Sequence, residues 1–242
     1  MSLSDPDPDY VEIIEPVVYK FCDIKDRMTT AWQEVFKDER DIEVHKGDIF
    51  KDGPAADAIV SPANSFGFMD GGIDMAYTRH FGWQLSERLQ KVIRKDYDGE
   101  VLVGQAVIIP TFEGEPEGDD WSQYNQGQMI KYLICAPTMR VPLNVSETAN
   151  AFLAFKAVIL AVNKHNANLK DNQEKIRSVL CPGLGTAVGK MPADRCAYQV
   201  QYMLTAYQMF YKGELSDLKE PSHLMHVHNH HFDMIEFKKP ST

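Results

Sequence analysis

Residues 61–74 read Ser61-Pro62-Ala63-Asn64-Ser65-Phe66-Gly67-Phe68-Met69-Asp70-Gly71-Gly72-Ile73-Asp74. They follow the apolar run Ala56 to Val60, which has the form of a buried parallel strand. They lead into Ile73 to Lys95, which reads as helix with a break near Gly82. A second turn of the same kind is Cys181-Pro182-Gly183-Leu184-Gly185-Thr186-Ala187-Val188-Gly189, after the strand Ser178 to Cys181 and before a helix over Ala193 to Phe210. Glycines at a strand-to-helix turn let main-chain N–H groups converge on an anion, beside the positive end of a helix dipole. One such turn suggests a phosphate. Two in one unit suggest a diphosphate held from both sides. A bulky replacement such as Gly72→Glu or Gly185→Glu is expected to abolish that grip with little change in thermal stability.

Outward from these turns, strands and helices alternate. Val11 to Ile24 suits a strand and Arg27 to Phe36 a short helix; Asp41 to His45 is a strand ending at Gly47-Asp48. Gln105 to Ile109 and Ile130 to Ala136 are strands stopped by Pro110 and Pro137. Thr148 to Lys164 is an amphipathic helix with Phe152, Phe155, Ile159 and Val162 on one stripe. This alternation predicts an α/β fold around a central, largely parallel or mixed sheet, with both glycine turns at the carboxyl ends of strands, where such sheets bind ligands.

Composition narrows the function. The 242 residues carry a formal net charge of -10, which argues against a general nucleic-acid binder. The four cysteines are scattered without a C-x-x-C pair, so neither a zinc site nor a disulfide framework is indicated, and no metal or cofactor is called for. Residues 1–9 are acidic and proline-bearing and read as a disordered lead. They lack the basic and apolar regions of a secretory signal, and no transmembrane span is expected, so the cytoplasm or nucleus is the expected location. Residues 10–242 are read as one domain. Residues 111–128 form an acidic, glycine-bearing insertion expected to be an exposed loop. The tail over 213–242 holds His226, His228, His230 and His231; on a strand His226, His228 and His230 would share one face as a chance metal site, or else the histidines belong to an exposed polar segment. The P-loop spacing and the G-x-G-x-x-G fingerprint are both absent.

Taken in order, Gly47-Asp48-Ile49, Ser61-Pro62-Ala63-Asn64, Gly71-Gly72-Ile73-Asp74 and Gly183 to Gly189 resemble the macro domain family of ADP-ribose-binding α/β/α modules, over residues 41 to 211. The resemblance implies a three-layer α/β/α fold with a mixed, largely parallel sheet. It also implies an ADP-ribose ligand or a derivative of it. Asp48 would accept from the adenine amino group beside the Ile49 backbone. Asn64 would hold the distal ribose and Asp74 would orient a water, the two together acting in catalysis. Ser61, Gly71, Gly72, Ile73, Gly183, Gly185, Thr186, Ala187, Val188, Gly189 and Phe68 would complete the binding surface. By residue chemistry alone, Asp48 and Asn64 also suit turn-making, and Asp74 also suits a helix-start charge. Phe66, Phe68, Tyr207, Phe210 and Tyr211 are candidates to cap a ring, with core packing as the alternative. Ser61 stands where many hydrolytic members carry Asn. The implied activity is metal-independent hydrolysis at the distal ribose, on ADP-ribose 1''-phosphate, O-acetyl-ADP-ribose or an ADP-ribosylated side chain. The alternative is a reader that binds without turnover.

Overall fold

A computed structural model describes residues 16–114, 121–170, 173–211, 221 and 223–237. The predicted lead over residues 1–9 lies outside them. The elements, in chain order, are β1 (Val18–Asp23), α1 (Asp26–Val35), β2 (Ile42–Lys46), β3 (Ala58–Ser61), α2 (Gly72–Phe81), α3 (Trp83–Asp96), β4 (Val107–Pro110), β5 (Tyr132–Cys135), α4 (Asn150–Ala167), β6 (Ser178–Cys181), α5 (Ala193–Tyr211) and α6 (His223–Glu236). The predicted break in the long helix is real. Gly82 separates α2 from α3 at φ +90°, a backbone conformation that a side chain disfavours.

The strands form one sheet in the order β2-β1-β6-β3-β5-β4. All neighbours are parallel except β4, which runs antiparallel to β5. Side chains alternate between two cores, as the period of two requires. Tyr19, Phe21, Val60, Ile134 and Cys181 face one side, where α1, α4 and α5 pack with Trp32, Phe155 and Val200. Cys22, Ile59, Leu133 and Leu180 face the other, where α2 and α3 pack with Tyr77, Leu85 and Leu89. The fold is therefore the expected α/β/α sandwich with a mixed, largely parallel sheet. Central strands β3 and β5 are buried at every position, which explains their unbroken apolar sequences.

Two expectations change. The acidic insertion is anchored where it is described. Thr111 is buried and donates through Oγ1 to Ile130 O at 2.6 Å. Asn125 is buried and donates through Nδ2 to Ile49 O at 3.0 Å. These side chains supply partners to main-chain carbonyls under the segment, so only part of it behaves as a surface loop. The histidine-rich segment is the helix α6, not a strand. It lies on α5, with Gln199 Nε2 donating to Met234 O at 3.0 Å and Tyr198 stacked on Phe237 at 4.2 Å. On a helix, His226 and His228 point in nearly opposite directions, so the strand-like common face disappears. Among the described residues no group of three or more His, Cys, Asp or Glu is placed to hold a metal ion. No helix among them is long and apolar enough to cross a membrane.

Candidate ligand-binding site

Strands β1, β2, β3 and β6 run parallel and so end at the same edge of the sheet, at Asp23, Lys46, Ser61 and Cys181. The turns that follow enclose a cleft of about 430 Å³. Across it, in strand order, lie Asp48 and Ile49 beyond β2, Asp23 to Lys25 beyond β1, the second glycine turn beyond β6, and Asn64 beyond β3. Gly183, Gly185, Thr186, Ala187, Val188 and Gly189 all line this cleft, as expected. So do Gly71, Gly72, Ile73 and Asp74 at the start of α2, facing the second turn.

The second turn is shaped by its carbonyls. Gly185 O accepts from Met191 N–H at 3.0 Å, Ala187 O from Lys190 N–H at 3.1 Å, and Gly189 O from Val145 N–H at 2.8 Å. A trans peptide points its N–H opposite its carbonyl, so the N–H groups of Thr186 and Val188 are directed away from these bonds. Two glycines are obligatory here. Gly185 sits at φ +69°, and a Cβ on Gly189 would lie 2.5 Å from Gly185 O and 2.6 Å from Val145 Cγ2. The expectation that Gly185→Glu would leave stability unchanged is thus overturned by backbone strain and the Val145 side chain 3.1 Å away.

The first turn presents a helix end. Gly71 precedes α2 in an extended conformation, and no side chain caps the helix start, so its first N–H groups meet the cleft without a protein acceptor from the capping position. Asn64 lines the cleft and at the same time ties the turn: Oδ1 accepts from Phe66 N–H at 3.1 Å, and Nδ2 donates to Phe68 O at 2.8 Å. Asp48 is similar: its Oδ1 accepts from Phe50 N–H at 3.0 Å and Lys51 N–H at 3.1 Å while the residue faces the cleft. Both turn-making alternatives are therefore realised at residues that also line the site.

Among the aromatic candidates, Phe68 lines the cleft and is 55% exposed. Phe66 instead lies under the Arg140 guanidinium, 5.3 Å from its ring centre. Tyr207 packs against the α1/α4/α5 core, its hydroxyl accepting from Asn163 Nδ2 at 2.8 Å. The side chains of Phe210 and Tyr211 lie outside the described residues. His80 stacks on Phe50 at 3.7 Å, as helix-end packing.

Ser61 requires a correction. It was expected to touch the ligand, yet it is fully buried at the end of β3 and does not line the cleft. Its hydroxyl donates to Asp74 Oδ1 at 2.5 Å. Asp74, 8% exposed, sits on the third residue of α2. Burial drives its pKa up from 3.8 to about 7, against the Ser61 hydrogen bond, which lowers it, while nearby Asp70 raises it further. The cleft wall thus holds a carboxylate that exchanges a proton near neutrality.

Sequence reasoning missed Asp23, Ile24 and Lys25, together with Thr138, Met139 and Pro142 from the β5–α4 connection. The signal for the first three was present, because a parallel strand ending at residue 23 must open onto the same edge. Only the strand order reveals that β1 lies between β2 and β6. The second group is tied to the first turn by a bridge between Asn64 and Met139 and by Thr138 Oγ1 donating to Pro62 O at 3.1 Å.

The model of one protein family, the macro domain, matches residues 60–200. The chain belongs to the macro domain family. An uncharacterised protein of Aquifex aeolicus is 31% identical over 158 residues, covering 65% of this chain and 76% of that protein. Among solved structures, the macrodomain of Mycobacterium tuberculosis DarG is 22% identical, with a TM-score of 0.48 over 68% of this chain and 88% of that one. The Oceanobacillus iheyensis macrodomain solved with ADP is 19% identical, with a TM-score of 0.44 over 62% and 68% of the two chains.

Proposed function

We propose that this macro domain binds ADP-ribose and hydrolyses a derivative of it at the distal ribose. Family membership and the cleft support the first part. The adenine would lie at Asp48 and Ile49, the diphosphate between the start of α2 and the second glycine turn, and the distal ribose at Asn64 and Asp74. That order follows the strand order β2-β1-β6-β3 across the sheet edge. Neutralising phosphate oxygens with main-chain N–H groups suits a protein of net charge -10, because no cationic surface is needed.

The observation that carries the hydrolytic reading is Asp74. A carboxylate with a pKa of about 7 at the cleft wall is matched to general-base work at neutral pH. Ser61 occupies Oδ1, so Oδ2 is assigned to the water. Asp74 takes a proton from that water as its oxygen bonds to the reacting centre. The bond to the departing group breaks, and the proton passes on to that group or to solvent. The bound diphosphate fixes the distance, which is a proximity effect.

A second reading, binding without turnover, is favoured by one feature. The Asn64 amide is engaged on both sides by its own turn, which leaves it less able to orient a ribose. Incubation with ADP-ribose 1''-phosphate and with an ADP-ribosylated peptide separates the two. Product formed by the native protein and lost in Asp74→Ala, with ADP-ribose affinity retained, supports hydrolysis. Unchanged substrate with ADP-ribose bound supports the reader.

A further inference from the structure

Behind the second glycine turn lies a further cavity of about 340 Å³. Its wall is Lys25, Arg27 and Met28 from the start of α1, Thr186 from the turn, and Lys190 to Ala193 leading into α5. Every charged residue of that wall is basic, in a protein with an acidic excess. Arg27 has an acidic partner, Asp194, at 3.7 Å, and its side chain is still 78% exposed. The nearby Asp26 is taken by Lys46. Among the described residues no ion pair engages Lys25 or Lys190. Lys190 also holds φ +55°, unusual for a residue with a side chain.

The cavity is contiguous with the cleft. Lys25 and Thr186 line both. Lys25 follows β1 and Thr186 follows β6, so the junction falls between Asp48 and Ile49 beyond β2 and Asn64 beyond β3, on the adenosine side of the second turn in the proposed order, and neither Asn64 nor Asp74 lines the cavity. We propose that this cavity binds a second phosphoryl group, at the adenosine end of the ligand. Resting on the proposed ADP-ribose cleft, this means a phosphate carried on the adenosine ribose, whether as a terminal monoester or as the link to a further nucleotide unit. A phosphoryl group, with one negative charge as a diester link and close to two as a terminal monoester, matches the three cationic residues that line one cavity, and charge-assisted contacts are the strong ones. The same chemistry would also admit free phosphate.

Calorimetric titration at low salt tests this with three probes: ADP-ribose, ADP-ribose bearing a 2'-phosphate on its adenosine ribose, and inorganic phosphate. The native protein is expected to bind the 2'-phosphorylated ligand about tenfold more tightly than ADP-ribose. Lys190→Gln and Arg27→Gln should each cut that preference, and the double variant should remove it. ADP-ribose affinity should stay unchanged, because neither residue lines the cleft. Equal melting temperatures would exclude unfolding as the cause. Inorganic phosphate that binds the native protein and not the double variant, without a gain for the 2'-phosphorylated ligand, assigns the site to free phosphate. The proposal is overturned if no probe senses the two substitutions. If ADP-ribose fails to bind while inorganic phosphate still depends on Lys190 and Arg27, the ADP-ribose reading falls and the anion site stands.

Discussion

Asp74→Asn tests the central electrostatic feature of the site without any ligand. Asp74 is raised from 3.8 to about 7 in the fold, chiefly by burial. The folded state therefore holds a proton that the unfolded chain releases. The sign follows: the favourable contribution is complete below about pH 4 and is lost as the pH climbs to about 7, above which the fold must house the bare carboxylate. A displacement of about 3 units corresponds to a ceiling of about 4 kcal/mol at pH 8. Asn is isosteric with protonated Asp, and its carbonyl can still accept from Ser61, so it escapes this cost. At roughly 2 °C per kcal/mol for a chain of this size, the variant should melt up to about 8 °C above the native protein at pH 8. At pH 4 the two should melt together. The assay is a pair of melting curves from pH 4 to 8, and the difference between them should grow through the range 4 to 7. Parallel curves, or a variant less stable at pH 8, would refute the assignment of a desolvated carboxylate to this position.

Other outcomes follow from the same geometry. Gly71 has open space around its Cβ position and an ordinary extended backbone, so Gly71→Glu should keep the melting temperature and weaken ADP-ribose binding at least about 100-fold by calorimetry, by placing a charge against the diphosphate. Gly189→Ala should instead lower stability by about 2 kcal/mol in urea titration, because its Cβ meets the Gly185 carbonyl and Val145. Asn125→Ala removes the partner of Ile49 O and Pro54 O; it should cost about 2 kcal/mol and weaken ADP-ribose binding by loosening the Asp48–Gly53 turn. If Asp74 is the base, the rate on an ADP-ribosylated peptide should rise about tenfold per pH unit below 7 and level off above it, and Ser61→Ala should move that limb to higher pH because the hydrogen bond that lowers the pKa is gone.

All four cysteines are free and buried. Burial pushes the Cys22 and Cys196 thiols up to about 12, which suits packing and not nucleophilic work.

Local pattern made much of this molecule legible. Strand-length apolar runs bounded by Gly and Pro marked β3, β5 and β6, and the 3–4 spacing of Phe152, Phe155, Ile159 and Val162 marked α4, because burial on two faces or one stripe leaves a periodic trace. The glycine turns announced themselves because positive φ and close backbone approach exclude side chains at Gly185 and Gly189. The histidine-rich segment misled, since its alternating histidines imitate a strand while its docking on α5 through Gln199 and Tyr198 is a tertiary matter.

The sequence by itself thus determined the α/β class and the two glycine-rich strand-to-helix turns, properties carried within short windows of chain, and the order of its motifs singled out Asp48, Asn64 and Asp74, which line one cleft. The tertiary structure decided what those residues do. It moved Ser61 from the ligand surface to the back of Asp74, bound the Asn64 amide into its own turn, and set Lys25, Arg27 and Lys190 around one cavity from segments about 165 residues apart in the chain. Strand order, burial and proton affinity depend on which distant segments pack together, and no window of sequence contains that information.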